Sequence, residues 1–186
     1  MATSSSPNAY IHWPVFWFTG LYGAGKSTVA ALAQNSLAAL SMRVTVIDGD
    51  HVRYRRATPL GFSRRDIIIN NAEIAEACGT ARHEADAVFV PIILPYAEGR
   101  EQARATLGDG FYEVYFNADL KTVVERDAKG LCAKAAQREI TDMIGLAPMS
   151  PNEAPANPDL TIPTPSEYSE QSAETLARFV LAALVR

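Results

Sequence analysis

Residues 20–28 read Gly-Leu-Tyr-Gly-Ala-Gly-Lys-Ser-Thr and fit the pattern Gly-x-x-x-x-Gly-Lys-[Ser/Thr] of a phosphate-binding loop. Glycines in such a loop let the backbone N–H groups turn inward around a phosphate. Lys26 is expected to reach the β- and γ-phosphates of a nucleotide, and the Ser27 hydroxyl is expected to bind Mg²⁺. The predicted nucleotide-binding residues of the loop are Gly20, Gly23, Ala24, Gly25, Lys26, Ser27 and Thr28.

The segments on either side of the loop support this prediction. The apolar run 15–18 is typical of a buried strand, and apolar residues recur at helical spacing from Val29 to Leu40. A strand, a glycine-rich loop and the N-terminus of a helix place positive potential where a phosphate would bind. The order of these elements indicates that the chain binds a nucleotide.

Composition predicts one globular domain over residues 13–186, preceded by a disordered tail over 1–12. Of the 186 residues, 48% are hydrophobic and 20% are charged, and no apolar run is long enough to cross a membrane. The formal charge of −4 argues against nucleic acid or an anionic membrane as the main partner. Cys78 and Cys132 have no metal-binding or redox spacing, so reduced thiols and a cytoplasmic location are expected.

Apolar runs alternate with longer amphipathic segments, which predicts an α/β fold with helices on both faces of a mostly parallel sheet. Strands are expected over residues 15–18, 44–47, 88–94, 111–116 and 160–162. A helix is expected over 120–126, and another after Thr164, where Pro165 and Glu167 complete a helix start signal. Segment 128–157 has scattered charges and then a proline-rich stretch, and it is either disordered or a lid that closes over the nucleotides.

Two carboxylates follow the second predicted strand, in the turn Asp48-Gly49-Asp50. Because strand ends converge on the ligand crevice of an open α/β sheet, this turn should lie near the phosphate-binding loop. A carboxylate there could accept the proton of an attacking hydroxyl, hold Mg²⁺ through water, or only cap a turn. The third predicted strand ends without an acidic residue, which favours a small kinase over motor ATPases and GTPases.

Arginines cluster in the segment that follows this turn. The cluster is either a solvated basic face or a site for an anionic substrate. Its members are Arg53, Arg55, Arg56, Arg64 and Arg65.

From about Trp17 to the C-terminus, the chain resembles adenylylsulfate (APS) kinases, which transfer the γ-phosphate of ATP to the ribose 3′-hydroxyl of APS and make PAPS. The motifs that carry the resemblance are residues 19–28, Asp48-Gly49-Asp50-His51-Val52-Arg53, Leu60-Gly61-Phe62-Ser63, Pro95-Tyr96, Glu113-Val114-Tyr115, Glu125-Arg126-Asp127, Lys129-Gly130-Leu131 and residues 153–158. They occur in the family's order at nearly its spacing.

The resemblance implies a three-layer P-loop kinase fold, ATP and Mg²⁺ as cofactors, and a homodimer. It implies that Asp50 is catalytic and, together with Ser27, binds the metal, and that Lys26 is the second catalytic residue. It places the ATP adenine near Arg126 and Pro155. It implies an acceptor pocket formed by Arg53, Phe62, Asn70, Pro95 and Tyr96.

The acceptor side departs from the family pattern at several positions. Ile67 stands where the family has an arginine, Thr141 where it has a lysine and Met143 where it has a phenylalanine. Two further arginines of the helix after Gly61-Phe62-Ser63 are absent at 72 and 73. Losing one arginine and one lysine together would weaken APS binding by roughly 3–5 kcal/mol without compensation. The candidate substitutes are Arg55, Arg56, Arg64, Arg65 and Arg100.

Three functions are therefore compatible with the sequence. The first is an APS kinase. The second is a kinase of the same chemistry with a different nucleotide or small-molecule acceptor, which the more apolar surroundings of Ile67 would suit. The third is a non-catalytic nucleotide-binding regulator, against which the presence of Lys26, Ser27 and Asp50 argues.

Overall fold

A parallel sheet forms the centre of the molecule in the computed structural model, which describes residues 13–55, 57–58, 60–126, 152–164 and 169–185. The strands are β1 (Val15–Thr19), β2 (Val44–Val46), β3 (Ala87–Val90), β4 (Phe111–Asn117) and β5 (Leu160–Pro163). They are all parallel and lie in the order β2-β3-β1-β4-β5. The carboxyl ends of all five strands therefore meet at one edge, which is where ligands bind in open α/β sheets.

Helices cover both faces of this sheet. They are α1 (Lys26–Ala38), α2 (Gly49–Tyr54), α3 (Arg64–Ala81), α4 (Ala97–Leu107), α5 (Leu120–Arg126) and α6 (Ser169–Leu184). Helices α1 and α6 pack together on one face, and α3 packs against α4 on the other. The arrangement confirms the predicted three-layer α/β fold.

Strand β1 is buried on both faces because its side chains alternate between two cores. Phe16 and Phe18 point towards α1 and α6, whereas Val15 and Trp17 point towards α3 and α4. All four side chains are fully buried. A central strand of a doubly covered sheet needs this uninterrupted apolar run, which is the feature that predicted it.

Two predicted elements end two or more residues earlier than expected, and each has a local cause. Strand β3 ends at Val90 rather than at Leu94, because Pro91 has no N–H for the ladder and Ile92 N–H donates to the Val90 carbonyl at 2.9 Å. Helix α1 ends at Ala38, and Leu40, predicted on its apolar face, is 61% exposed in the turn that follows.

Three predicted features lie wholly or mostly outside the described residues, and the tail predicted over 1–12 is one of them. Of the predicted lid over 128–157, the structure describes only 152–157, and the start signal at Pro165 and Glu167 is not described. Among the described residues, no helix combines the length and the apolar character that a membrane span requires.

Candidate active site

The phosphate-binding loop joins β1 to α1 at the carboxyl edge of the sheet. Gly20 and Gly25 have φ angles of 136° and 87°, and Gly25 is the residue that caps α1. A Cβ atom at Gly20 would lie 2.5 Å from the Phe116 carbonyl oxygen. Both glycines are therefore required by the backbone path, which leaves the N-terminus of α1 open towards a ligand.

Lys26, the first residue of α1, lies folded against this loop. Its Nζ donates to the carbonyls of Gly20 at 2.9 Å and Leu21 at 2.6 Å. The side chain is buried, and burial lowers the pKa of Lys26 to about 7, although both carbonyls favour the protonated form. By contrast, Ser27 and Thr28 are exposed, so their hydroxyls are accessible to a ligand.

The two carboxylates after β2 have different surroundings. Asp48 is the N-cap of α2, and its Oδ1 accepts a hydrogen bond from Asp50 N–H at 2.9 Å. Asp50 lies in the first turn of α2 and is exposed. Helix capping therefore accounts for Asp48, and Asp50 is the carboxylate that remains available for chemistry.

Close packing brings this turn towards the other strand ends. A Cβ atom at Gly49 would lie 2.8 Å from a methyl group of Ile92, which follows β3. Thr19, at the end of β1, donates its hydroxyl to the Leu94 carbonyl at 2.9 Å. The loops after β1, β2 and β3 are therefore joined into one edge, as expected from the parallel sheet. Within the described ranges, no group of three or more His, Cys, Asp and Glu side chains could hold a metal ion by itself.

Arg53 and Phe62, both predicted to bind the acceptor, lie against each other. The Arg53 guanidinium carbon is 4.7 Å from the centre of the Phe62 ring, which is 57% exposed. Arg53 Nη1 donates to the carbonyls of Leu60 and Gly61, whereas its buried Nε has no partner among the described residues. An unpaired donor therefore lies beside an exposed aromatic ring.

Helix α3 holds the next predicted acceptor residue. Asn70 is buried, and its Oδ1 has no hydrogen-bond partner among the described atoms. One turn earlier, Ile67 is only 3% exposed. Ile67 is thus part of the packed surface of α3, which explains how an apolar side chain is tolerated there.

Pro95 and Tyr96 form the turn into α4, and both are buried. Glu153 N–H donates to the Pro95 carbonyl at 2.7 Å, and Glu153 Oε2 accepts from Ala97 N–H at 2.7 Å. The hydrogen bond from Ala97 holds the pKa of Glu153 below its ordinary value. The final part of the predicted lid is thereby fastened to the turn that carries two predicted acceptor residues.

A buried ion pair lies next to this turn, and the sequence analysis did not predict it. Arg100 Nε and Glu113 Oε1 lie 2.9 Å apart with both side chains 8% exposed, although the contact lacks aligned hydrogen-bond geometry. Arg100 Nη1 also donates to the Leu94 and Glu153 carbonyls. Arg100 is held by Glu113 and two backbone carbonyls within the protein, which argues against it as a substitute anion-binding residue.

The arginines of the predicted cluster differ in exposure and in contacts. Arg55 and Arg65 are exposed, Arg53 is buried, and Arg56 lies outside the described residues. Arg64 lies over the Tyr96 ring, with its guanidinium carbon 4.3 Å from the ring centre. The described members of the cluster therefore differ in exposure and contacts and do not form one uniformly solvated face.

The two residues predicted near the ATP adenine are held by different parts of the chain. Arg126, at the end of α5, donates to the Thr164 carbonyl at 2.8 Å. Pro155 is half-buried in the segment that Glu153 fastens to α4. The structure thus describes both residues without assigning either to a nucleotide.

Comparison with known proteins identifies several relatives. A sequence model described as Adenylylsulphate kinase matches residues 13–163. Adenylyl-sulfate kinase of Vibrio cholerae is 40% identical over 171 residues, which cover 91% of this chain and 77% of that protein. Adenylyl-sulfate kinase of Acaryochloris marina is 35% identical over 167 residues, covering 89% and 80%. The structure of the Mycobacterium tuberculosis APS kinase CysC in complex with AMPPNP and APS superposes with a TM-score of 0.84, is 35% identical, and covers 91% of this chain and 98% of that one.

Proposed function

Because the chain belongs to the adenylylsulphate kinase family, we propose that it transfers the γ-phosphate of ATP to the ribose 3′-hydroxyl of APS and releases ADP and PAPS. Of the six buried side-chain atoms without hydrogen-bond partners among the described residues, two belong to predicted acceptor residues, Arg53 Nε and Asn70 Oδ1, and this observation carries the proposal. Buried polar groups are normally hydrogen-bonded, so two such atoms on predicted acceptor residues support a polar ligand.

Phosphoryl transfer requires little covalent chemistry from the protein beyond orientation and charge stabilisation. Asp50 is proposed to accept the proton of the 3′-hydroxyl as the hydroxyl oxygen forms its bond to the γ-phosphorus and the bond to the ADP oxygen breaks. Its exposed position at the carboxyl edge supports this role. Lys26 is proposed to leave its two loop carbonyls and donate to the phosphates, which offer stronger acceptors.

Ser27 and Asp50 fit a Mg²⁺ site of the kind that uses few protein ligands. Both side chains are exposed and carry oxygen donors, and Mg²⁺ in such enzymes binds one or two protein groups together with phosphates and water. When bound, the ion would neutralise phosphate charge. The remaining nucleotide contacts are proposed for the backbone N–H groups of residues 20–28 and, at the adenine, for Arg126 and Pro155.

The acceptor side is proposed to consist of Arg53, Phe62, Asn70, Pro95 and Tyr96. The exposed Phe62 ring beside the Arg53 guanidinium supports a stacking surface for a planar base. Ile67, one turn before Asn70 on α3, supplies no positive charge, and this favours an acceptor of lower charge, which is the second candidate function. Both candidates share the donor chemistry and differ only in the acceptor.

A coupled ADP-release assay with Mg-ATP tests the proposal by comparing APS with a nucleotide panel and a control without acceptor. Lys26→Ala should abolish transfer, and Asp50→Asn should strongly lower kcat while ATP still binds. Asp48→Asn is the matched control, because asparagine also caps helices and the charge change is the same. Substantial activity of Lys26→Ala or Asp50→Asn would contradict the assigned roles. Turnover of another nucleotide but not of APS would favour the second candidate.

Three predictions from the sequence complete the proposal. We propose a lid over residues 128–157, a homodimer and a cytoplasmic location. The contacts of Glu153 with Pro95 and Ala97 support the first, because they fasten one end of that segment beside the acceptor residues. Light scattering of the purified chain tests the second, and cell fractionation tests the third.

A further inference from the structure

The acceptor side of the site contains three arginines in different states. Arg53 and Arg100 are each 7% exposed, and their guanidinium groups donate to backbone carbonyls. Arg64 differs, because its side chain is 51% exposed. Of these three, Arg64 is the one that presents N–H donors to solvent.

Tyr96 orients the Arg64 guanidinium. The Tyr96 ring is 2% exposed, and the guanidinium carbon lies 4.3 Å from its centre. When a guanidinium lies over an aromatic ring, its N–H groups point outward in the guanidinium plane. They therefore stay free to bind an anion beside the ring. Since Tyr96 is itself a proposed acceptor residue and Arg64 covers its ring, the exposed N–H groups of Arg64 lie on the acceptor side of the site.

Two carboxylates keep Arg64 in place without saturating it. Nη1 contacts Glu153 at 3.3 Å, and Nη2 contacts Glu98 at 3.5 Å. Only the Glu153 contact has hydrogen-bond geometry. The side chains of Glu98 and Glu153 are 51% and 35% exposed, and such exposed pairs are weak, so a multiply charged ligand can displace them.

We infer that Arg64 is a specificity-determining residue that binds the anionic sulfate–phosphate end of the acceptor. Helix α3 places Arg64 one turn before Ile67, so the two side chains are neighbours on the helix surface. Arg64 thus supplies positive charge beside a position that has none. The inference rests on the proposed function, since it assumes that APS is the acceptor.

Arg64→Ala tests the inference in the full chain through KM and kcat for both substrates. A lost charge-assisted hydrogen bond should raise the KM for APS about ten-fold or more. The KM for ATP should not change. Inhibition by adenosine, which has no anionic group, should also be unchanged. Arg64→Lys should give an intermediate KM for APS, and Glu98→Gln should lower it because a competing carboxylate is removed.

Two controls separate binding from a structural role. Arg43→Ala removes the same charge from the opposite edge of the sheet, just before β2, where Arg43 contacts Asp86 at 3.3 Å and its side chain is 68% exposed. Arg104→Ala removes a second arginine of the same kind, since Arg104 lies 4.7 Å from the Phe111 ring centre, contacts Asp159 at 2.9 Å and is 47% exposed. Neither control should change the KM for APS, although Arg104→Ala should lower the melting temperature.

Several outcomes would overturn the inference. It fails if Arg64→Ala leaves the KM for APS unchanged while the wild type turns over APS, and the proposed function then stands. It also fails if either control raises that KM as much, or if adenosine binding weakens equally. If the wild type does not turn over APS, the proposed function and the inference both fail. Should Arg64→Ala not fold, unchanged APS kinetics in Arg64→Lys and Glu98→Gln would refute it.

Discussion

The buried pair Arg100–Glu113 offers a direct test of how the acceptor side is supported. Arg100 links α4 to β4 through Glu113 and also binds the Leu94 and Glu153 carbonyls. Arg100→Met keeps an apolar stem of similar length and removes the charge. Because Glu113 is only 6% exposed, the variant leaves a carboxylate buried without its main partner.

The expected loss of stability follows from this burial. Removing one partner of a buried ion pair destabilises a protein by about 3–5 kcal/mol, whereas an exposed pair contributes about 0–1 kcal/mol. Arg104→Met is therefore the matched control, because the Arg104–Asp159 pair is 47% and 32% exposed. The free energy of unfolding should fall several times further in Arg100→Met than in Arg104→Met.

The pH dependence gives a second, independent signature. Burial raises the pKa of Glu113, while Arg100 and Arg104 lower it, so removal of Arg100 should raise this pKa further. An acid whose pKa is higher in the folded state binds protons more tightly there, and stability then falls as the pH rises through that range. The loss of unfolding free energy in Arg100→Met should therefore be smallest at low pH and largest above the raised pKa of Glu113.

Urea unfolding followed by the fluorescence of buried Trp17 measures both effects across the pH range in which the wild type stays folded. Adding Glu113→Gln to Arg100→Met should recover part of the loss, because a neutral amide is cheaper to bury than a carboxylate. Three results would refute the reasoning: a cost no larger than that of Arg104→Met, a cost independent of pH, or no recovery in the double variant.

Two further predictions concern the phosphate-binding loop and α3. Gly20→Ala should lower stability and weaken ATP binding, because its Cβ would lie 2.5 Å from the Phe116 carbonyl oxygen. Gly108→Ala controls for backbone strain alone, because Gly108 has a φ of 60° and a Cβ there would have no atom within 4 Å. Equal melting temperatures and ATP affinities for both variants would contradict the close-approach argument. Ile67→Arg should lower the free energy of unfolding by about 1–3 kcal/mol, since Ile67 is 3% exposed. The double variant Ile67→Arg, Thr141→Lys should lower the APS dissociation constant measured by calorimetry. An unchanged dissociation constant would mean that other residues already bind the anionic group.

The phosphate-binding side of the site could be predicted because the residues that form it are contiguous in the sequence. Residues 15–28 contain the strand, the turn and the start of the helix in one contiguous segment, and the glycines carry the backbone requirement themselves. Even so, the sequence could not tell which of two aspartates caps a helix. Asp48 is the N-cap because its carboxylate accepts from the Asp50 N–H, which is a property of the folded turn.

The order of elements was likewise determined by the sequence. Alternating apolar runs and amphipathic segments specify parallel strands with helices between them, because each run must be buried on one or both faces. Boundaries were less certain where a single residue decides them, as Pro91 does for β3.

The contacts around the acceptor residues were decided only by the tertiary structure. Arg64 and Glu153 are 89 positions apart, and Glu153 and Ala97 are 56 apart, yet they meet in one cluster beside Tyr96. A single arginine or glutamate carries no periodic signal, and its role depends on which distant groups surround it after folding. The sequence by itself therefore determined the nucleotide-binding loop and the parallel fold, while only packing decided that Arg100 is buried and paired whereas Arg64 faces solvent.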